Sequence, residues 1–284
     1  MAKDYRTCKA VEQFNTGLSK CPLNPGKIKG FMLVEKGYKL PDEITAESLM
    51  EAFHADRPGR IYPVKIVEEY APSGGELQTS ATGYGATKVT GYSARTDVVT
   101  VEYDAGLKAN IVRTKGVGFE LYWVDENNVI FGEKGVDGKI KGIEMSGIGV
   151  GGQDFDSSGT QAELTISLMY TDIERYWKNM AFKEVDFNII DVMNGLVFVT
   201  LLKEESGSDI YRLIEITGRL DITPYYGEKL AGSTAVEVWD GVTSVSYADG
   251  VLTITPKSGG GAIGLKKPSI LQTKGITGIE YVAS

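Results

Sequence analysis

The sequence predicts a mainly β protein with one or two short helices and a small β module at its C-terminus. Glycine accounts for 35 of the 284 residues, nearly twice the usual share of about 7%, and only nine prolines accompany it. This composition is typical of many tight turns between many short strands. The apolar residues also fall into short alternating runs, and only two segments follow a helical period.

Residues 1–40 are predicted to form an irregular N-terminal arm with one short strand in GFMLVEKG. Pro22 and Pro25 exclude a helix through CPLNPGKIKG, and such arms are usually ordered by a neighbour or not at all. Cys8 and Cys21 are the two cysteines of the chain. We expect them to be reduced, and a single bridge between them stays open as the alternative.

The main β domain is predicted to span residues 41–230 and to hold both helices. The first helix lies in LPDEITAESLMEAFHADRPGR, where Thr45 can cap it and Pro58 ends the run. The second lies in YTDIERYWKNM, where Thr171 and Glu174 form a capping box. The remaining periodic segments alternate as strands, namely GFELYWVDENNVIFGEKG, QAELTISLMY and GLVFVTLLKEESGSDIYRLIEITGRLDI.

A domain boundary is predicted near residues 227–234, where the pattern of the sequence changes. Residues 231–284 would form the small C-terminal β module, with a turn at Asp249 and Gly250 between two alternating runs. A module of about 50 residues has a thin core. We therefore expect it to pack against the main domain or against a neighbouring subunit.

A long glycine-rich loop is predicted at residues 70–96. The segment EYAPSGGELQTSATGYGATKVTGYSARTD contains Gly83, Gly85 and Lys88, which together suggest a phosphate-binding loop. Such a loop requires a helix after the lysine, whereas KVTGYSARTDVVTVEYD alternates as strands do. We interpret the segment as an arm or long hairpin that orders against a neighbouring subunit, with a loop disordered in solution as the alternative.

Two further motifs lack the context that their chemistry requires. GIGVGG at residues 147–152 has the spacing of a dinucleotide-binding turn, but no helical pattern follows it. Asp154, Asp156 and Ser158 match the first ligand positions of a calcium loop, but Thr165 stands where a bidentate glutamate is needed. These three residues are weak metal candidates, and a polar turn between strands is the commoner explanation.

The chain offers few residues for catalysis. His54 is the only histidine, so a site with several histidine ligands is excluded, and its place at the end of the first helix favours an imidazolium stabilised by the helix dipole. Glu68 and Glu69 are adjacent and point to opposite faces of a strand. We expect no catalytic residue, no cofactor and no enzymatic activity. A bacterial β protein that binds carbohydrate or cleaves a polymer stays open as an alternative, and it would need an aromatic-lined cleft with convergent carboxylates.

Charge and hydropathy limit the classes of partner. The net charge is -8 and the sequence pI is about 5.0, which disfavours a nonspecific grip on nucleic acid or on an anionic membrane. No signal peptide and no membrane span is expected, because the chain has neither an N-terminal apolar region nor 18 apolar residues in a row. Protein partners are therefore the default.

Several segments follow one another in an order that resembles a known group of proteins. They are CPLNPGKIKGFMLV, a short helix, HADRPGRIYPVKIVEEYAPSGGELQTSATGYGATKVTGY and VGGQDFDSSGTQAELTISLMYTD. In this order they resemble structural virion proteins of tailed bacteriophages, in particular the crAss-like phages of gut Bacteroidales. The resemblance covers about residues 20–200. It implies a β-sandwich or barrel domain like that of tail tube and tail hub proteins, whose subunits join their sheets into a ring.

This resemblance implies a non-enzymatic virion component of the tail or neck, made in the host bacterial cytoplasm. Its partners would be copies of itself in a ring, other tail, neck or portal proteins, and DNA that passes through the channel without specific binding. Unpaired edge strands promote unwanted association, so a ring built from sheets must pair them across subunits. The glycine-rich loop lies beside such strands and is therefore the predicted subunit contact. A capsid decoration or collar protein with a C-terminal binding module stays open as an alternative. The candidate contact residues are Tyr70, Leu77, Tyr84, Lys88, Tyr92 and Arg95.

Overall fold

The structure, a computed structural model, confirms that the protein is mainly β. It describes residues 25–41, 43–81, 83–114, 116–205, 209–232, 235–259 and 261–283, which hold 19 strands and seven short helices. The sequence predicted one or two helices and missed two helices of nine residues, Ala105–Arg113 and Thr223–Ala231, each of which contains a glycine, a residue of low helix propensity. Cys8, Cys21 and most of the predicted arm lie outside the described residues. None of the described helices is long and apolar enough to cross a membrane.

The chain divides into two compact units. The first comprises Met1–Met50 and Ile61–Met193, and the second comprises Glu51–Arg60 and Asn194–Ser284. The helix α1 (Ala46–Phe53) contains residues of both. Thr45 caps it as predicted, since its Oγ1 accepts a hydrogen bond of 3.1 Å from the backbone N–H of Ser48.

The first unit contains twelve strands and three further helices. The strands are β1 (Ile28–Glu35), β2 (Ile61–Lys65), β3 (Glu69–Gly74), β4 (Leu77–Ser80), β5 (Lys88–Tyr92), β6 (Arg95–Glu102), β7 (Phe119–Asp125), β8 (Val129–Lys134), β9 (Ile140–Lys141), β10 (Ile143–Gln153), β11 (Glu163–Tyr170) and β12 (Met180–Glu184). The helices are α2 (Ala105–Arg113), α3 (Ile173–Asn179) and α4 (Ile189–Val192). The cap of α3 is Asp172 and not the predicted Thr171, since Asp172 accepts a bond of 2.9 Å from the N–H of Arg175.

Ten strands of this unit form one sheet, in the order β12-β8-β7-β10-β11-β6-β3, with β1, β2 and β9 attached beside this path. The strand β10 belongs to both halves, because Ile143 and Glu144 pair with β7 while the residues from Met145 onward pair with β11. Side chains from both halves meet in a single core, for example Phe31, Trp123 and Ile166. The sheet therefore folds over as a half-barrel, with β12 and β3 as its two ends.

The second unit is built around a five-stranded sheet in the order β16-β17-β14-β13-β19. Its elements are β13 (Val197–Lys203), β14 (Ile210–Glu215), α5 (Thr223–Ala231), α6 (Ala235–Val238), β15 (Trp239–Asp240), β16 (Val242–Ala248), β17 (Val251–Pro256), β18 (Gly264–Leu265), α7 (Pro268–Thr273) and β19 (Ile279–Tyr281). The unit begins at Asn194 and not near residue 231, because β13 pairs with β19 and β14 pairs with β17. Local pattern could not reveal these long-range pairings.

The segment Glu51–Arg60 is tied to the rest of the second unit by buried polar side chains. The guanidinium of Arg60 donates to both carboxylate oxygens of Glu280, at 2.6 and 3.2 Å. The buried ring of His54 donates from Nε2 to the carbonyl of Asn194 at 3.1 Å. Burial lowers the pKa of His54, which favours the neutral ring at neutral pH and disfavours the imidazolium predicted at the helix end.

Candidate functional site

The predicted glycine-rich loop is a long β-hairpin in the structure. Its base is formed by β3 and β6, which pair from Glu69 opposite Thr100 to Gly74 opposite Arg95. Its outer part is formed by β4 and β5, with Leu77 opposite Tyr92 in the same register. The strands after Lys88 thus exclude a phosphate-binding loop, as the sequence indicated.

A bend at Gly74 and Gly75 separates the outer part of the hairpin from the sheet. Both residues have positive φ angles, +77° and +78°, which side-chain-bearing residues rarely adopt. A Cβ atom on Gly74 would also lie 2.0 Å from the carbonyl oxygen of Ala94. Beyond the bend, Glu76 and Ser93 join the two chains, since the N–H of Ser93 donates to the carbonyl of Glu76 at 2.9 Å. We call residues 75–94 the ribbon.

The ribbon exposes both of its faces. The side chains of Leu77 and Val89 are 53% and 63% exposed, and Tyr84 near the tip is fully exposed. The ribbon also contacts the body of the unit, where Tyr92 packs edge-on against Trp177 of α3 with ring centroids 5.0 Å apart. An isolated two-stranded ribbon is only marginally stable in water. This ribbon therefore resembles a segment that gains its full stability from contact with another surface.

A buried hydrogen-bond network holds the base of the hairpin. Asp97 on β6 is 1% exposed and accepts bonds from the hydroxyls of Tyr70 and Tyr170, at 2.8 and 2.7 Å. Its other oxygen accepts from Nε of Arg95 at 2.6 Å. The indole of Trp123 donates to Tyr170 at 3.0 Å. A carboxylate that is bonded to three donors can be buried at this position without a large penalty.

The protonation of the two phenols follows from their surroundings. Burial, and then the negative charge of Asp97, raises the pKa of Tyr70 to about 12. The same two causes raise the pKa of Tyr170 above its ordinary value. Both hydroxyls therefore stay protonated at neutral pH and act as donors to Asp97. The network thus orients both phenols toward the carboxylate of Asp97.

The network forms one wall of a cleft of about 580 Å³. Glu69 and Tyr70 of β3 and Met180 of β12 line it, so the cleft lies between the two ends of the folded sheet. Aromatic side chains dominate the lining: Tyr70, Trp123, Phe131, Tyr170, Tyr176 and Trp177. The lining also includes Glu68 and Glu69.

This cleft meets only part of the requirement for a carbohydrate site. Trp123, Tyr170 and Tyr176 are buried, so their ring faces are not open platforms for a sugar. The ring of Tyr70 meets Trp123 edge-on, with centroids 5.6 Å apart. The carboxylate of Asp97 is already bonded to three donors. The aromatic lining is therefore part of the hydrophobic core that reaches the surface.

The predicted contact residues fall into two groups. Tyr70 and Arg95 meet in the network at the base of the hairpin, where the Nη2 group of Arg95 also donates to the hydroxyl of Tyr70 at 3.1 Å. The ribbon carries Leu77, Tyr84, Lys88 and Tyr92. The network residues that the sequence reasoning missed are Asp97, Trp123 and Tyr170. Asp97 left a usable signal, since it alternates with Val99 and Val101 on the buried face of one strand.

The weak metal candidates lie at the tip between β10 and β11. Asp154 forms an ion pair with Lys108, and Oδ1 of Asp156 accepts a bond of 2.7 Å from the N–H of Ala162. Ser158 is exposed in the same turn. Among the residues that the structure describes, no group of three or more His, Cys, Asp or Glu side chains is arranged to hold a metal ion. The GIGVGG motif lies in β10 and is followed by this turn.

No protein-family model and no curated protein matches the chain. Among solved structures, the chain is similar to the cryo-EM structure of the anti-feeding prophage cap, described as the tube-terminating cap of that particle. The two chains are 11% identical and the TM-score is 0.28, with 61% of this chain and 100% of that chain covered. A TM-score this low does not establish a shared fold.

Proposed function

We propose that this protein is a non-enzymatic structural subunit of a bacteriophage virion, which assembles through its ribbon into a homo-oligomeric ring of the tail tube, tail hub or neck. The ribbon is the observation that carries the proposal, because it leaves the sheet at a glycine bend and presents apolar side chains on exposed strands. The resemblance of about residues 20–200 to virion proteins of tailed phages supplies the virion context.

The edges of the ten-stranded sheet also favour assembly through exposed strands. The outer strands β2 and β3 contain Pro63 and Pro72, and a proline cannot donate to an added strand. The third outer strand, β12, has no proline and exposes Met180 and Phe182. The ribbon exposes Leu77 and Val89, and the edge strand β12 exposes Met180 and Phe182, so two exposed strands with apolar side chains lie on different parts of one chain.

A contact between the ribbon of one copy and the β12 edge of the next is heterologous. Such head-to-tail contacts generate a closed ring when the rotation between copies closes, and an open filament when it does not. The acidic balance of the chain suits a channel wall that repels DNA phosphates. Other tail, neck or portal proteins would then bind the faces of the ring, in a virion whose parts are made in the host cytoplasm.

The mass of the purified protein in solution tests the proposal. We expect light scattering after size exclusion to give a fixed multiple of the chain mass, and negative-stain images to show rings or stacked rings. A monomer or a trimer whose ribbon is digested freely by protease would contradict ring assembly. That result would favour a decoration or collar protein.

A further inference from the structure

The strand β12 has an open edge at one end of the ten-stranded sheet. Within the part of the chain that the structure describes, Met180–Glu184 pairs with β8 alone. In the same register, the N–H of Val185 donates to the carbonyl of Asn128 at 3.1 Å. Hydrogen-bonded residues alternate along an antiparallel strand, so the N–H and C=O groups of Phe182 point away from β8. These groups are available to a further strand.

The ribbon presents two strand edges, and the edge of β5 is interrupted by a bulge. The pairing of β5 with β4 skips Thr90, and Gly91 beside it has a φ angle of +144°. Bulges of this kind protect edge strands from pairing. The strand β4 has no such interruption. At its start the carbonyl of Glu76 accepts a bond from Ser93 across the ribbon, so the backbone groups of the next residue, Leu77, point outward.

One register between β4 and β12 matches the side chains of both strands. When the strands run antiparallel with Leu77 opposite Phe182, the two exposed apolar side chains lie on the same face. This register also places Glu76 opposite Lys183 on the other face, and opposite charges at facing positions stabilise a strand pair. A parallel alignment of the same apolar pair places Glu76 opposite Ala181 and loses the ion pair. Charge and hydropathy therefore select the same antiparallel register.

We propose that β4 of one copy adds to the β12 edge of the next copy, antiparallel, with Leu77 opposite Phe182 and Glu76 opposite Lys183. This inference rests on the proposed ring assembly and names the strands that join neighbouring copies. A second copy is the occupant because this chain supplies both members of the apolar pair and both members of the charged pair. Within one copy, β4 and β12 belong to different sheets. Each copy uses both edges once, which gives a head-to-tail contact.

Charge reversal on the full chain tests the register. Glu76→Lys and Lys183→Glu should each weaken association several-fold, because each places like charges at facing positions. A chain that carries both changes restores the opposite charges and should associate within about two-fold of the unchanged protein. The matched control is Lys88→Glu, which makes the same change of charge on β5 and should leave association unchanged. Sedimentation velocity measures each dissociation constant.

A disulfide trap identifies the paired strands directly. Cys8→Ser and Cys21→Ser remove the native thiols, and chains with Leu77→Cys are then mixed with chains with Phe182→Cys. The Cα atoms of facing, hydrogen-bonded residues lie about 5.5 Å apart, which suits a disulfide. We expect mild oxidation to link these chains at least ten times faster than chains with Val89→Cys and Phe182→Cys. Val89 lies on β5 and is at least as exposed as Leu77.

Faster linkage at position 77, together with recovery of association in the doubly reversed chain, would support the register. Equal linkage at positions 77 and 89 would overturn it, and so would a doubly reversed chain that associates no better than the single variants. Light scattering of the unchanged protein separates this failure from failure of the proposed function. Rings without either effect refute this strand pair alone, whereas a monomer refutes ring assembly and the strand pair together. Circular dichroism verifies that each variant is folded.

Discussion

Removal of the ribbon is expected to abolish assembly and to leave the first unit folded. The change replaces Leu77–Tyr92 by Asn-Gly, so that Glu76 and Ser93 flank a two-residue turn. These two residues already face each other across the hairpin, with a backbone hydrogen bond of 2.9 Å. Asn-Gly is the preferred sequence for such a turn. The base of the hairpin and the Asp97 network are untouched.

The expected loss of stability is small because the buried core of the unit includes no residue of the ribbon. The principal loss is the edge-on pair of Tyr92 and Trp177, and such pairs contribute roughly 0.5–1.5 kcal/mol beyond their buried area. A loss of about 1 kcal/mol would lower Tm by roughly 2–4 °C in a unit of this size. Urea denaturation followed by tryptophan fluorescence measures this change.

The expected loss of association is much larger. Leu77 and Val89 are about half exposed and Tyr84 is fully exposed, so their burial in a contact contributes about 4 kcal/mol in total. Their removal should weaken association about 1,000-fold. Sedimentation velocity across a hundred-fold range of concentration would then detect only monomer.

A milder variant controls for the deletion. Val89→Asp on the ribbon should weaken association, whereas Val136→Asp should not, because Val136 is a fully exposed valine in the turn after β8. Normal assembly of the shortened protein, or an equal effect of both valine variants, would refute the assignment of the ribbon as the contact. Loss of the folded monomer would show that the ribbon belongs to the core.

Three further predictions concern stability. Asp97→Asn should lower the free energy of unfolding by about 2–3 kcal/mol in urea, because Arg95 and two phenols lose their charged acceptor, and an unchanged midpoint would contradict the role of the network. Gly74→Ala should destabilise clearly more than Gly138→Ala, which shares a positive φ but has open space around it; thermal melts of the two variants decide this. The pKa of His54 is lower in the folded protein than the ordinary value of 6.5, so the unfolded chain binds a proton first as pH falls. The free energy of unfolding is therefore retained above pH 6.5 and decreases as pH falls from there through the folded pKa. His54→Gln should remove the part of the pH dependence that arises as pH falls below the ordinary pKa of 6.5, and titration of the single histidine by NMR checks the direction of the shift.

Local features of the fold could be predicted from the sequence where neighbouring residues decide them. The Asp249–Gly250 turn is an example, since both residues have positive φ and Ala248 pairs with Val251 across it. The cap at Thr45 is another. The cap of α3 moved by one residue to Asp172, because both residue types can accept the same bond and the pattern does not separate them.

The strands of the hairpin at residues 69–102 could be predicted from the sequence, but the contacts at its base could not. Alternation after Lys88 indicated strands and excluded a helix, whereas the bend at Gly74 and Gly75 was not anticipated. The network at its base was not anticipated, because Asp97 gains its partners from Tyr170, 73 residues away, and from Trp123 through that tyrosine. The cleft depends on the same long-range contacts.

The sequence by itself determined that this chain is rich in strands, acidic, and turned by glycine at many points, because these properties depend on composition and on near neighbours. Only the tertiary structure decided which strands share a sheet, that β13 and β14 join the C-terminal strands, and that β3 and β12 face each other across an aromatic cleft. The physical reason is that the backbone groups of a strand can bond to any other strand. The choice among partners is made by side chains that meet only after the chain has folded.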